Sequence, residues 1–561
     1  MRRVLGHLIW SVLGAACLSP FLYAATASLP EAAELGDRAA VISLLKSGAD
    51  ANTAQADGMT ALHWAALKND ADLAGILLAA GANPDATTRL GGYTPLLLAA
   101  REGNVAMVAA ALKGGANPSR ATSNGTTPLM LAAASGQAEA VSLLLGKHAA
   151  VNATEVKGQT ALMFAAAYGR TEVIKALVES GADVKMASTA LDLTTVAQAL
   201  EAPAGATTGK NLVEAASESK GRGKKGGGVN PYNILVAAQG GLTPMLFATR
   251  QGHSDAAKVL LDAGADINQP SGGDRTTPLL MATINGHFDL AKLLLERGAN
   301  PRLSSENGVT PLYAALNCQW APRAAFPQPQ AYLQQHATYL ELMNTLLDEG
   351  ADPNARVNKK PWYSGYNFDR SGIDETGATA FWRAAYAGDV EAMRLLVAHG
   401  ADPNIWTAKS EVRAGTANET QRAASAYVSP LPVVPPGGPD VSALLASAGI
   451  GYTVGYSGNS HVYSPNGMLP AVKYMVEELQ MDVNVTDALG NTAVHLAAAR
   501  GDNEMIRYLL SKGANPLAIN REGLSTVDMA NAPVQKTTPF PETIALLEKL
   551  GAVNHHRCMS C

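Results

Sequence analysis

Short apolar runs opened by threonine alternate along most of the chain with amphipathic segments closed by Gly-Ala. The openings read TALHWAA at Thr60, TPLLLAA at Thr94, TPLMLAA at Thr127 and TALMFAA at Thr160, each 33 or 34 residues after the last. Further copies start at Thr243 (TPMLFAT), Thr277 (TPLLMAT), Thr310 (TPLYAAL), Thr379 (TAFWRAA) and Thr492 (TAVHLAA), and a degraded one, STVDMAN, at Ser525. A threonine before Pro or Ala predicts an N-cap, and proline fits the first helical position because its missing N–H would have no partner there. The first helix of a copy is therefore short, Pro95 to about Glu102 in the second, and Gly103 or Gly136 ends it. The following segment carries apolar residues at helical spacing, such as Val173, Leu177 and Val178, before Gly-Ala-Asn/Asp closes it. One such pair cannot bury its apolar face alone, so neighbours must stack into an all-α ladder of helix-turn-helix units.

A period of about 33 residues with a Thr-Pro-Leu-His-type opening resembles the ankyrin repeat, here from about Leu29 to Asn554. The resemblance implies an ankyrin-type α-solenoid with short hairpin loops, and recognition of a protein partner through hairpin tips and the concave face of the first helices. The candidate contact residues end those helices: Lys68, Arg101, Glu102, Tyr168, Arg250, Gln251, Asn285, Tyr386 and Arg500. They are diverse and mostly polar, as both a recognition surface and any solvated face are. His63 and His495 stand at the pattern's histidine and are expected to be hydrogen-bonded packing residues rather than catalysts. The next position reads Trp64, Leu98, Leu131, Phe164, Phe247, Met281 and Leu496, expected to be core.

The array predicts this organisation: signal peptide 1–27; repeats with a capping half-repeat 28–184; an insertion 185–240; central repeats 241–404, interrupted at 318–339 and 355–374; an insertion 405–467 with a disguised repeat helix; repeats 468–554; and a tail 555–561. The cap consists of Leu29 to Leu35 and AAVISLLKSGADAN from Ala39. The disguised unit pairs DVSALLASAGIG, from Asp440, with LPAVKYMVEELQMDVN, from Leu469. The first insertion is expected to open with a helix over Leu191 to Glu201 and to continue as a flexible Gly/Lys linker, SESKGRGKKGGG. GATTGK from Gly205 fails the phosphate-loop pattern at both ends. The later insertions hold Cys318 and Trp320, then Trp362, Tyr363, Tyr366 and Phe368, then an extended SPLPVVPPGGP, then a Tyr/Gly-rich stretch with His461. These aromatics either contact a partner or seal the stack. Insertions in solenoids often mark the binding face.

Composition narrows the class. Of 561 residues 47% are apolar and 16% charged, with a net charge of −5. That excludes wholesale disorder and a broad nucleic-acid binder. Four cysteines exclude a disulfide-dense scaffold. Arg2 and Arg3 ahead of the apolar stretch Leu8 to Leu18, followed by Ala25-Thr26-Ala27, predict a signal peptide cut before Ser28, with a cut after Ala24 as the alternative. The protein is thus expected to be exported, periplasmic or secreted. Lipoprotein anchoring at Cys17 is the lesser reading, because the apolar residue of a lipobox sits one place too far upstream. No run reaches the ~18 apolar residues of a spanning helix.

The tail, HHRCMSC, ends in a Cys-x-x-Cys pair, Cys558 and Cys561. It reads as the front of a c-type haem attachment site lacking its histidine, as a disulfide or redox pair, or as an inert tail; a zinc site is too cramped. The sequence holds no HExxH, and GYSGN at Gly455 misses the nucleophile elbow. The reading is a monomeric, non-catalytic exported scaffold for protein–protein interaction, with no cofactor, metal, nucleic acid or membrane span. The alternative is a redox or electron-transfer accessory carrying covalent haem at Cys558 and Cys561.

Overall fold

The computed structural model describes residues 28–193, 238–320, 331–359, 361, 373–409, 429–451, 464–465, 467–531 and 538–556. Two compact units, Met1–Val156 and Lys157–Cys561, divide the chain.

In the first unit four helix pairs follow one another: α1 (Leu29–Leu35) with α2 (Arg38–Lys46), α3 (Ala61–Leu67) with α4 (Ala71–Ala79), α5 (Pro95–Glu102) with α6 (Val105–Lys113), and α7 (Pro128–Ser135) with α8 (Ala138–Gly146). The expected caps are in place. Thr94 Oγ1 accepts from Leu97 N at 3.2 Å, and Thr127 Oγ1 from Met130 N at 3.3 Å. Gly103 and Gly136 end α5 and α7 at φ +73° and +89°, where a side chain would be strained. First helices pack on first helices (α1 on α3, α3 on α5, α5 on α7), and second on second (α4 on α6, α6 on α8). Leu62, Leu96 and Leu129 fill the first row and Leu77 and Leu144 the second, while buried Ala65, Ala99 and Ala132 let the rows approach. The turns are tied side chain to backbone: Asn83 N donates to Asn52 Oδ1 at 2.7 Å and Asn52 Nδ2 to Gly81 O at 3.1 Å. That relay is the physical content of the Gly-Ala-Asn/Asp signature.

The second unit repeats the scheme with interruptions. α9 (Ala161–Ala167) and α10 (Thr171–Glu179) precede strands β1 (Ala190–Asp192) and β2 (Ala238–Gly240), which pair antiparallel with Ala190 opposite Gly240. The helix expected from Leu191 is thus corrected at its start: Leu191 and Asp192 are strand, and 194–237 lie outside the described residues. The pair closes the insertion at its base, so the extra chain leaves from a hairpin tip. Next come α11 (Pro244–Gln251), α12 (Ser254–Asp262), α13 (Pro278–Ile284), α14 (Phe288–Glu296), α15 (Pro311–Gln319) and α16 (Tyr339–Asp348). α15 runs through Cys318 and α16 begins at Tyr339, so the interruption starts later than residue 318 and separates the two helices of one repeat. α17 (Ala380–Tyr386) and α18 (Val390–Ala398) follow, then α19 (Ala443–Ser447) and α20 (Met468–Lys473), the disguised pair. α20 continues in a π-helical turn, Tyr474–Glu478. α21 (Ala493–Ala498), α22 (Asn503–Ser511), α23 (Thr526–Ala530) and α24 (Pro541–Lys549) complete the unit. α19 earns its place by packing: it lies on α17 and on α21 as a first helix must.

Candidate protein-binding face

The repeat histidines do what their position predicts. His63 Nδ1 accepts from Thr60 N at 3.1 Å, and its Nε2 meets Tyr93 O of the next repeat at 3.0 Å. His495 Nδ1 accepts from Thr492 N at 3.1 Å, and its Nε2 meets Leu524 O at 3.3 Å. A ring that caps its own helix and donates to the next hairpin must be neutral. Burial pushes His495 down to about 4 and depresses His63 as well. In the degraded last copy Asp528 takes the histidine's place. It is fully buried, accepts from Ser525 N at 2.9 Å as the histidines accept from their caps, and is met by His555, beyond the last helix, through its backbone N at 2.9 Å and Nδ1 at 2.6 Å.

The stripe one residue on is not uniform core. Leu98, Phe247 and Leu496 are buried, but Trp64, Leu131, Phe164 and Met281 are only half-buried. In the first unit Trp64 and Leu131 share this face with exposed Lys68, Arg101 and Glu102. Arg101 pairs with Glu102 at 3.0 Å and lies 5.7 Å from the Tyr93 ring centroid. In the second unit α9, α11 and α13 stack in sequence, which sets Phe164, Phe247 and Met281 side by side. Exposed Tyr168, Arg250 and Gln251 flank them, with the Arg250 guanidinium 5.5 Å from the Phe247 ring centroid. Asn285 is half-buried and donates to Met281 O at 2.8 Å. Arg500 is half-buried, pairing with Asp502 at 3.1 Å and touching Met468 Sδ.

Tyr386 is a correction. It is 6% exposed and stacks on Trp382 at 5.4 Å, so it cannot lie on an open recognition surface. The cause is a side chain that period counting passed over. At the position where Trp64, Leu98, Leu131, Phe164, Phe247, Met281 and Leu496 stand in their first helices, α17 has Arg383. Arg383 is 2% exposed. Its Nε donates to Asn317 Oδ1 and its Nη2 to Trp320 O at 2.7 Å. Trp320 Nε1 donates to Asp389 Oδ2 at 2.8 Å, and Tyr339 Oη donates to the same oxygen at 2.7 Å. Burial, then the Asp389 charge, pushes the Tyr339 hydroxyl well above its ordinary range. Trp320 thus bridges a buried cation and a buried anion, and the face is filled here from within. The signal was one letter, the Arg in TAFWRAA. Cys318 beside this network is half-buried, and burial pushes its thiol up to about 12, the opposite of a reactive cysteine.

Cys17, Trp362, Tyr363, Tyr366, Phe368, His461, Cys558 and Cys561 lie outside the described residues. Among the described residues no helix is long and apolar enough to cross a membrane, and no three His, Cys, Asp or Glu side chains gather closely enough to hold a metal.

Residues 29–122, 107–188, 246–357 and 460–531 match the family described as Ankyrin repeats (3 copies), and 376–408 match the single Ankyrin repeat. The chain belongs to the ankyrin repeat family, whose members generally mediate protein–protein interaction. Curated relatives include Palmitoyltransferase Hip14 of Drosophila melanogaster, 36% identical over 88 residues, which are 16% of this chain and 14% of that protein. Putative palmitoyltransferase ZDHHC13 of Danio rerio is 38% identical over 85 residues, 15% of this chain and 13% of that protein. The chain spans about a seventh of the length of these relatives, within the ankyrin region, so the likeness concerns repeats and not the transferase chemistry.

Proposed function

We propose that this chain is an exported ankyrin scaffold that captures a protein partner on the first-helix face of α9, α11 and α13. The observation that carries the reading is the half-buried row of Phe164 and Met281 beside Phe247, flanked by Tyr168 and Arg250. Apolar residues ringed by an aromatic hydroxyl and a guanidinium are the composition of contact hot spots. The first-helix face at Trp64 and Leu131, with Lys68, Arg101 and Glu102, serves as a second patch of the same kind. Export rests on the leader-like first 27 residues. Cleavage there would leave the Ser28 ammonium 2.7 Å from the Glu31 carboxylate, a charged cap for α1.

The test is a capture from the native exported fraction by chain carrying Phe164→Ala, Tyr168→Ala and Arg250→Ala together, against wild type. A partner retained by wild type and reduced at least tenfold by the variant supports the face; equal retention rejects it. N-terminal sequencing of the native protein checks the address: Ser28 as first residue supports export, and an intact Met1 or Arg2 terminus rejects it.

A further inference from the structure

One hairpin-tip surface in the second unit already holds a peptide-like segment, and the segment belongs to this chain. Residues 429–436 read Ser-Pro-Leu-Pro-Val-Val-Pro-Pro. Four prolines remove half of the backbone donors and favour an extended conformation that costs little entropy to fix. The segment reaches the tips of the last two hairpins. Arg521, on the second tip, donates from Nε to Pro432 O at 3.2 Å and from Nη2 to the same oxygen at 2.5 Å. Its Nη1 donates to Ala488 O at 2.9 Å and Asp487 O at 3.2 Å on the first tip. One guanidinium thus reads three carbonyls and ties the segment to both tips. Leu431 closes over Gly490: a Cβ there would sit 2.8 Å from Leu431 Cδ1, and at φ +83° the position favours glycine in any case.

The grip is not specific to this sequence. It uses a carbonyl oxygen and one apolar side chain, which any extended proline-rich chain offers. Val433, at the crest, is 83% exposed and adds nothing to it. Beside the seat, Leu489 and Ile519 on the same two tips remain 42% and 38% exposed, apolar surface that the segment leaves uncovered. The segment is held more firmly behind than at the seat. Lys409 Nζ donates to Val434 O at 2.6 Å, Lys409 N to Gly438 O at 2.8 Å, and Ala408 bridges to Pro439.

We propose that the tips formed by Leu489, Gly490, Ile519 and Arg521 are a docking surface for an extended proline-rich peptide of a partner protein, and that residues 429–436 are a tethered occupant which that peptide displaces. The tether gives the occupant a high effective concentration, so a free peptide competes weakly until the tether is loosened. The surface is separate from the first-helix face, and each reading stands or falls without the other.

A fluorescein-labelled peptide of the sequence of residues 429–436 is titrated into the full chain and followed by anisotropy. Wild type is expected to bind it weakly. The double variant Leu431→Ser, Lys409→Ala, which loosens the occupant and leaves the tips intact, is expected to bind at least tenfold more tightly. Adding Arg521→Ala or, independently, Gly490→Ala, whose Cβ would stand 2.8 Å from the place of Leu431 Cδ1, to that variant is expected to return binding to the wild-type level, with circular dichroism confirming that each chain is folded. The proposal is overturned if the loosened variant, folded, binds no better than wild type, or if neither tip substitution weakens it. A concentration-dependent dimer of the loosened variant without peptide binding overturns it too, assigning the tips to a second copy.

Discussion

His495 shows how one buried group makes this fold acid-sensitive. Burial holds the folded imidazole at about 4, whereas the unfolded chain takes up its proton near 6.5. The folded pKa is depressed, so between those values the unfolded state binds more protons. Stability from this site is therefore complete above about pH 6.5 and is lost as pH falls toward 4. At pH 7 His495→Ala is expected to cost about 2–3 kcal/mol, because Thr492 N and Leu524 O lose buried partners. The gap in melting temperature between wild type and variant should shrink from pH 7 to pH 4.5; a constant gap would mean that the ring is not held neutral. Arg383 is the second decisive residue. Arg383→Ala strips donors from Asn317 Oδ1 and Trp320 O and empties a buried volume. A loss of about 3 kcal/mol in urea unfolding is expected. Arg383→Lys should recover little of it, since one ammonium cannot reproduce the fork between an amide and a carbonyl. Unchanged unfolding midpoints in both would show that the Trp320 bridge holds nothing.

At the scale of the helix and the hairpin, what the sequence reveals depends on period. Thr-Pro/Ala caps, glycine stops and apolar spacing recur in most copies, so the helices and even the disguised α19–α20 pair were legible from residues alone. β1 was not: three residues carry no detectable alternation, and Leu191 followed by threonines and alanines reads equally as a helix start. Only the pairing of Ala190 with Gly240 across the insertion decides it. The exposure of the first-helix ends was half legible. Counting from the caps located Tyr168, Arg250 and Lys68, but burial at Tyr386 depends on Arg383, Asn317 and Trp320 meeting from separate elements, which no spacing encodes. Hairpin tips are tighter than their composition suggests. A Cβ on Gly241, at φ +64°, would lie 2.4 Å from Gly272 Cα of the next tip, whereas one on Gly264, at φ +88°, would meet nothing within 4 Å. Gly264→Ala should cost only the left-handed penalty of about 1–2 kcal/mol. Gly241→Ala should cost clearly more, because backbone must move; equal costs in paired melts would show that the tips are not in contact.

For the molecule as a whole, a repeat array is stabilised by each unit's own fold and by its neighbours, so an insertion is tolerated where it leaves both untouched. The described ends of the first insertion are compatible with that condition. Its two ends are paired as β1 and β2, with Asp192 opposite Ala238, so the hairpin is already closed at its base. Thr189 N donates to Lys157 O at 2.8 Å and Gly272 N to Gly241 O at 2.9 Å, which ties that base to the tips on either side without any residue between 193 and 237. α9 and α11 meet directly, as first helices of successive repeats do. Replacing residues 193–237 by Asn-Gly, the turn that suits a two-residue hairpin, is therefore expected to shift the melting temperature by no more than a few degrees. Partner capture by the first-helix face should survive the same deletion, because Phe164, Tyr168 and Arg250 are fixed by helices that the deletion spares. A collapse in stability would instead mean that the inserted chain is part of the stack, and that its length serves the fold rather than a surface feature added to it.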